Sequence, residues 1–202
     1  MTDSAQITGR GTLVLNGLAL PARFKFYHDA GNAYAHHIQV TWFSFPVLTV
    51  NESYQNGVAT MNLPGETIHD APEINAAAYQ ALWAEAIWFP ALWFTDERVH
   101  WEPLNDNSAR LILEDAAPDE RFTLYFDPQT GLLTEMVAQR YRNLGDPARH
   151  RWTNRAVTWA ALAGVQVPII AETQWDDERP WAVWRVEDIT LNLDVRGAFP
   201  GA

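Results

Sequence analysis

The 202-residue sequence contains no cysteine. This excludes a disulfide framework, a thiolate nucleophile and any thiolate metal ligand, and it leaves the redox compartment open. Basic residues are scarce: 14 Lys and Arg stand against 25 Asp and Glu, giving a net charge of −11. Without a basic stripe, neither nucleic acid nor an anionic membrane surface is an expected partner. Nucleophile elbows, phosphate loops and dinucleotide fingerprints are missing too. The start, MTDSAQITGRG, lacks the basic and apolar parts of a signal peptide. The expected location is therefore cytoplasmic if the sequence is full length, and periplasmic or membrane-anchored if an N-terminal segment has been removed. The one long apolar run, residues 76–94, has Glu85 near its middle and Pro90 inside it. It falls short of the roughly 20 apolar residues a span requires, so a buried helix is expected and no transmembrane segment.

What is present is mostly strand signal. Residues 34–42 put Tyr34, His36, Ile38, Val40 and Trp42 on one face and Ala35, His37, Gln39 and Thr41 on the other. That is the period-two pattern of a half-buried strand. Residues 22–28 alternate Phe24 and Phe26 with Arg23 and Lys25. Asn16-Gly17 and Asn56-Gly57 are hairpin turn signals. Further strands are expected over 11–16, 45–54, 58–63, 99–101, 109–114, 121–126, 132–142, 166–175 and 181–195, with 151–162 readable as strand or helix. Near Glu187 the apolar phase slips from Trp184 and Val186 to Ile189 and Leu191, which a β-bulge would produce. The sequence predicts a single domain over 1–202. Its class is mainly β (α+β): a strongly curved antiparallel sheet or half-barrel whose concave face is covered by a helix.

The helix is expected to start at Asp70 as N-cap, with Pro72 in the first turn, and to end or kink at Pro90. Apolar residues occur on all its sides, the mark of a helix covered from more than one direction. Glu85 is its one charged residue between Ala76 and Phe94. A carboxylate in such surroundings must be paired, hydrogen-bonded or protonated. Two readings stay open: a ligand-contacting or acid/base group, or a structural ion pair with Arg23 or Arg140. The ten tryptophans exceed what filling a core demands, so they line a pocket or pack a wide interior. His36 and His37 face opposite sides of one strand, and the other histidines lack ligand-like spacing, so neither a metal nor any other cofactor is expected.

SYQNG (53–57), AEAIWFPAL (84–92), VHWEPL (99–104), YFDPQTGLL (125–133), QRYR (139–142), GVQVP (164–168) and Trp175 occur in this order. Together they resemble an uncharacterised bacterial family of domains of unknown function related to the lipoprotein-carrier, LolA-like fold. The resemblance implies a half-barrel with helix over its concave face, and Glu85, Trp88, Pro90, Trp101, Arg140 and Trp175 as signature positions. In lipoprotein carriers the corresponding cavity holds acyl chains. The leading expectation is non-enzymatic binding of a hydrophobic small molecule or lipid. Trp88, Phe89, Trp101 and Trp175 would form its wall, and Glu85 with Arg140 its polar end. The alternatives are an enzyme using Glu85 as general base on a small apolar substrate, and a structural or interaction domain with a Glu85–Arg140 core pair. Ligand identity and oligomeric state are not legible.

Overall fold

Alternating apolar and polar residues, punctuated by turns that demand positive φ, make this chain a meander of antiparallel strands. The computed structural model describes residues 2–43, 45–114, 116–117 and 120–199. The first half supplies β1 (Ser4–Leu15), β2 (Leu18–Asp29), β3 (Ala33–Trp42), β4 (Phe45–Gln55), β5 (Val58–Leu63) and β6 (Glu66–His69). Helix α1 (Pro72–Ala84), a 3-10 turn (Glu85–Trp88) and a short α2 (Leu92–Thr95) follow. The second half supplies β7 (Val99–Asn105), β8 (Ser108–Leu113), β9 (Phe122–Phe126), β10 (Leu133–Arg140), β11 (His150–Leu162), β12 (Val165–Trp175) and β13 (Ala182–Leu191). Asn16-Gly17 and Asn56-Gly57 both have positive φ at each residue, the backbone of a two-residue type I′ hairpin.

All described strands join one thirteen-stranded antiparallel sheet in the order β6-β5-β4-β3-β2-β1-β13-β12-β11-β10-β9-β8-β7. Each half is a run of local hairpins, and the halves meet where β1 pairs with β13. There Thr8 faces Asp188 and Gly9 faces Val186, so Glu187 is the extra residue of a bulge. This is the slip the apolar phase predicts. Gly9 is needed at that seam: a Cβ would lie 2.1 Å from the Arg185 carbonyl oxygen and 2.6 Å from the Phe24 ring.

Helix α1 packs against β4 and β5 on one side and β10 on the other. β4 and β10 are seven places apart in the strand order, or about 34 Å on a flat sheet at the usual strand spacing. A helix about 10 Å across can touch both only because the sheet is bent. Ile7, Phe24, Phe26, Val40, Trp83, Trp88, Leu124, Met136, Trp152 and Trp184 contribute to the main core.

Three expectations are corrected. β1 begins at Ser4 rather than 11, because Ala5 and Ile7 pair on both flanks even though polar residues and glycines dilute their signal. The α1 N-cap is Ala71, not Asp70. Asp70 has φ 53° and accepts a hydrogen bond from the Asn75 side chain instead. The α-helix ends at Ala84, before Pro90, and tightens into the 3-10 turn that begins at Glu85. The ambiguous segment near 151–162 is the strand β11. Among the described residues no helix is long and apolar enough to cross a membrane.

Candidate functional site

The site forms where the end of α1 meets β2, β3 and β4. The turn between Asp29 and Ala33 sets the β2–β3 register so that Phe26 faces His36 and His28 faces Tyr34. His28 and His36 are therefore diagonal neighbours on the same face, with ring centroids 6.1 Å apart. On the other side of β3, His36 faces Glu52 and Tyr34 faces Tyr54. Glu85 opens the 3-10 turn, and its carboxylate reaches this row.

One Glu85 oxygen, Oε2, lies 2.8 Å from Nε2 of His36 and 2.8 Å from Nε2 of His28. The His36 contact is a hydrogen bond. The other ring nitrogen of His36 faces Glu52 at 3.9 Å, and Glu52 accepts a hydrogen bond from the Tyr34 hydroxyl. His28 is fully buried, and neither of its ring nitrogens has an aligned hydrogen-bond partner among the described residues.

Burial disfavours charge throughout this cluster, yet three groups are held ionised against it. Burial raises the Glu85 carboxyl, but the His36 charge and the contacts of both imidazoles outweigh this and hold it at about 2. Burial lowers His36, and the charges and hydrogen bonds of Glu85 and Glu52 lift it to about 9. The Glu52 carboxyl is likewise brought below its usual value by His36 and Tyr34, against burial. For His28 burial wins over the pull of Glu85 and the value falls. The Tyr34 phenol rises well above its ordinary value through burial and the Glu52 charge.

Beside this cluster is a cavity of about 150 Å³. Phe26, Trp88, Trp152, Trp181 and Trp184 supply aromatic wall, and His36, Glu52, Glu85 and Arg140 supply polar groups. The indole of Trp88 donates to the Pro168 carbonyl at 3.2 Å, fixing the 3-10 turn to β12.

Of the residues singled out from sequence, Glu85, Trp88 and Arg140 come together around this cavity. Phe89 is buried and packs against the His28 ring, with centroids 5.1 Å apart. Trp101 and Trp175 are not among the lining residues: Trp101 stacks on Phe94 and donates to the Trp93 carbonyl, and Trp175 packs beside Arg142. The expected Glu85–Arg140 pair is replaced by the two histidines. Arg140 donates to the Ala77 carbonyl at 2.7 Å and lies 4.5 Å over the Trp152 ring. Arg23 is exposed on the opposite face of β2. Sequence reasoning missed His28, His36, Glu52 and Tyr34. The available signal was the turn at 29–32, which fixes the register that puts His28 and His36 on one face.

Residues 1–186 match a family described as a family of unknown function, DUF6544. No curated protein matches. Among solved structures, the chain is similar to an outer membrane lipoprotein-sorting protein domain from Vibrio parahaemolyticus. That pair has a TM-score of 0.58 and 8% identity, covering 96% of this chain and 88% of the other. A DUF1329 family protein from Desulfovibrio piger has a TM-score of 0.57 and 8% identity, covering 99% and 91%. A LolA superfamily protein from Nitrosomonas europaea has a TM-score of 0.56 and 11% identity, covering 95% and 87%. At these identities the likeness is one of fold: a mostly β, open, curved sheet of LolA type.

Proposed function

We propose that this chain, which belongs to the family of unknown function DUF6544, binds a hydrophobic ligand between its helix and the concave face of the bent sheet. The reading treats the protein as a binder and not as an enzyme. The observation that carries it is the cavity: aromatic side chains from β2, β11, β13 and the 3-10 turn line it, with His36, Glu85 and Arg140 at a polar end. An apolar pocket with a few converging polar groups is the usual form of a small-molecule site. The sorting function in the description of the Vibrio relative points to lipid as the ligand class, by analogy of fold alone.

Size constrains the ligand. A cavity near 150 Å³ takes about one benzene-sized molecule. The occupant is therefore a compact apolar molecule or the terminal part of an acyl chain, and a whole chain requires the end of α1 to yield. Native mass spectrometry after mild purification, together with titration by a fluorescent fatty acid, tests this. Ala171, a small lining residue on β12, gives the control: Ala171→Phe fills the space and should weaken uptake at least tenfold. A clean apo mass with no fluorescence response, or uptake unchanged in Ala171→Phe, would overturn the reading.

A structural reading is favoured by one observation. Two carboxylates, Glu52 and Glu85, face one charged imidazole, His36, near a buried guanidinium, Arg140, so the cluster balances its own charge and pins the helix. General-base chemistry by Glu85 fits less well. A carboxylate held at about 2 is a weak base at neutral pH.

A further inference from the structure

We infer that His28, His36 and Glu85 form a site for one divalent transition cation of the zinc type. The inference stands on these side chains and does not depend on a ligand in the neighbouring cavity. Their ligand atoms all lie within 4.8 Å of one another, and both Nε2 atoms are 2.8 Å from the same carboxylate oxygen. Ligands about 2.0–2.2 Å from a tetrahedral metal are about 3.3 Å from each other. The two nitrogen–oxygen separations therefore need to open by only about half an ångström, and the ion displaces the His36 proton as it binds, because a ligating imidazole must be neutral.

Two further observations point to an ion. The His28 ring is fully buried: its Nε2 meets a Glu85 oxygen that it must share with His36, without good hydrogen-bond alignment, and its Nδ1 has no hydrogen-bond partner among the described residues. A buried imidazole held only through a shared, poorly aligned oxygen is costly, and coordination would give its Nε2 a bond of its own. His36 presents one nitrogen to the cluster and the other towards Glu52, itself anchored by the Tyr34 hydroxyl. A carboxylate behind a ligating histidine is the usual outer support of a metal site, fixing ring orientation and raising basicity.

Two nitrogens and one oxygen with no sulfur suit zinc, cobalt or ferrous ion and exclude a preference for soft cuprous ion. The ligands sit on adjacent hydrogen-bonded strands and on a helix end tied down by Trp88, supports rigid enough to hold a geometry. His36 and Glu85 also line the cavity, so a fourth coordination position opens there to water or a ligand's polar head.

The test uses the full chain, stripped with chelator and titrated with Zn²⁺ by calorimetry while imidazole nitrogens are followed by NMR. One equivalent should bind, and the His28 and His36 rings should shift while those of His37, His69, His100 and His150 stay. His28→Asn should weaken binding at least a hundredfold, and Glu52→Gln by about 10–100-fold, the usual effect of removing an outer partner. Absence of binding, shifts confined to the other four histidines, or an unchanged affinity in folded His28→Asn would each overturn the site. The wild-type NMR result decides the matter even if a variant fails to fold.

Discussion

A single oxygen of Glu85 serves two imidazoles at once, and this makes the residue more than a buried charge. Removing the charge leaves His36 facing Glu52 alone and deprives both rings of their shared partner. Breaking a buried ion pair by removing one member costs about 3–5 kcal/mol, because the other charge is left uncompensated. Glu85→Gln should therefore lower the unfolding free energy in urea by about 3 kcal/mol. The comparison is Glu187→Gln, whose side chain is exposed at the β-bulge beside Arg10. A loss no larger than that of Glu187→Gln would remove the pinning role. The carboxylate itself was legible, since any lone charge in so apolar a run must find partners. Their identity was not: His28 and His36 are eight positions apart in sequence and meet only through strand pairing.

At the scale of elements, α1 is tied to the sheet by polar contacts on several sides. The Asn75 side chain accepts from the Ala59 backbone on β5, and Arg140 reaches from β10 to the Ala77 carbonyl. Gln80, almost fully buried, donates to the carbonyls of Gln139 and Glu120. Replacing it by leucine keeps the apolar packing but leaves two carbonyls without this donor. A buried polar group left unsatisfied costs about 1–3 kcal/mol. Gln80→Leu should therefore destabilise by about 2 kcal/mol in chemical denaturation, despite being the more hydrophobic side chain, and a stabilised variant would contradict the tie. Elements were easier to read than their ends. Period-two alternation revealed β2 and β3, and the phase slip revealed the bulge at Glu187. Pro72 sits at the start of the helix and pushes Ala71 before it into extended backbone, which makes Ala71 the cap, and the helix stops at Ala84, short of the breaker Pro90.

The whole molecule is two meanders joined along one line. β1 pairs with β2 on one side and with β13 on the other. Trp184, Val186 and Ile189 of β13 are buried, so losing this strand removes part of the core as well as a ladder in mid-sheet. A chain ending at residue 181 should lose its cooperative unfolding transition and bind a hydrophobic dye, both measurable by fluorescence against the full chain. Retention of a sharp transition would show that the halves are stable apart.

That same join sets an order of events during synthesis. The first six strands can leave the ribosome as local hairpins, each complete soon after it emerges. β1 is the exception: its second partner lies at residues 182–191, so one flank stays unpaired until β13 has been made. An open strand edge invites pairing with other chains, and β1 carries such an edge for the longest time of any strand in the centre of this sheet. The nascent sheet is thus most vulnerable to misassembly just before β13 arrives.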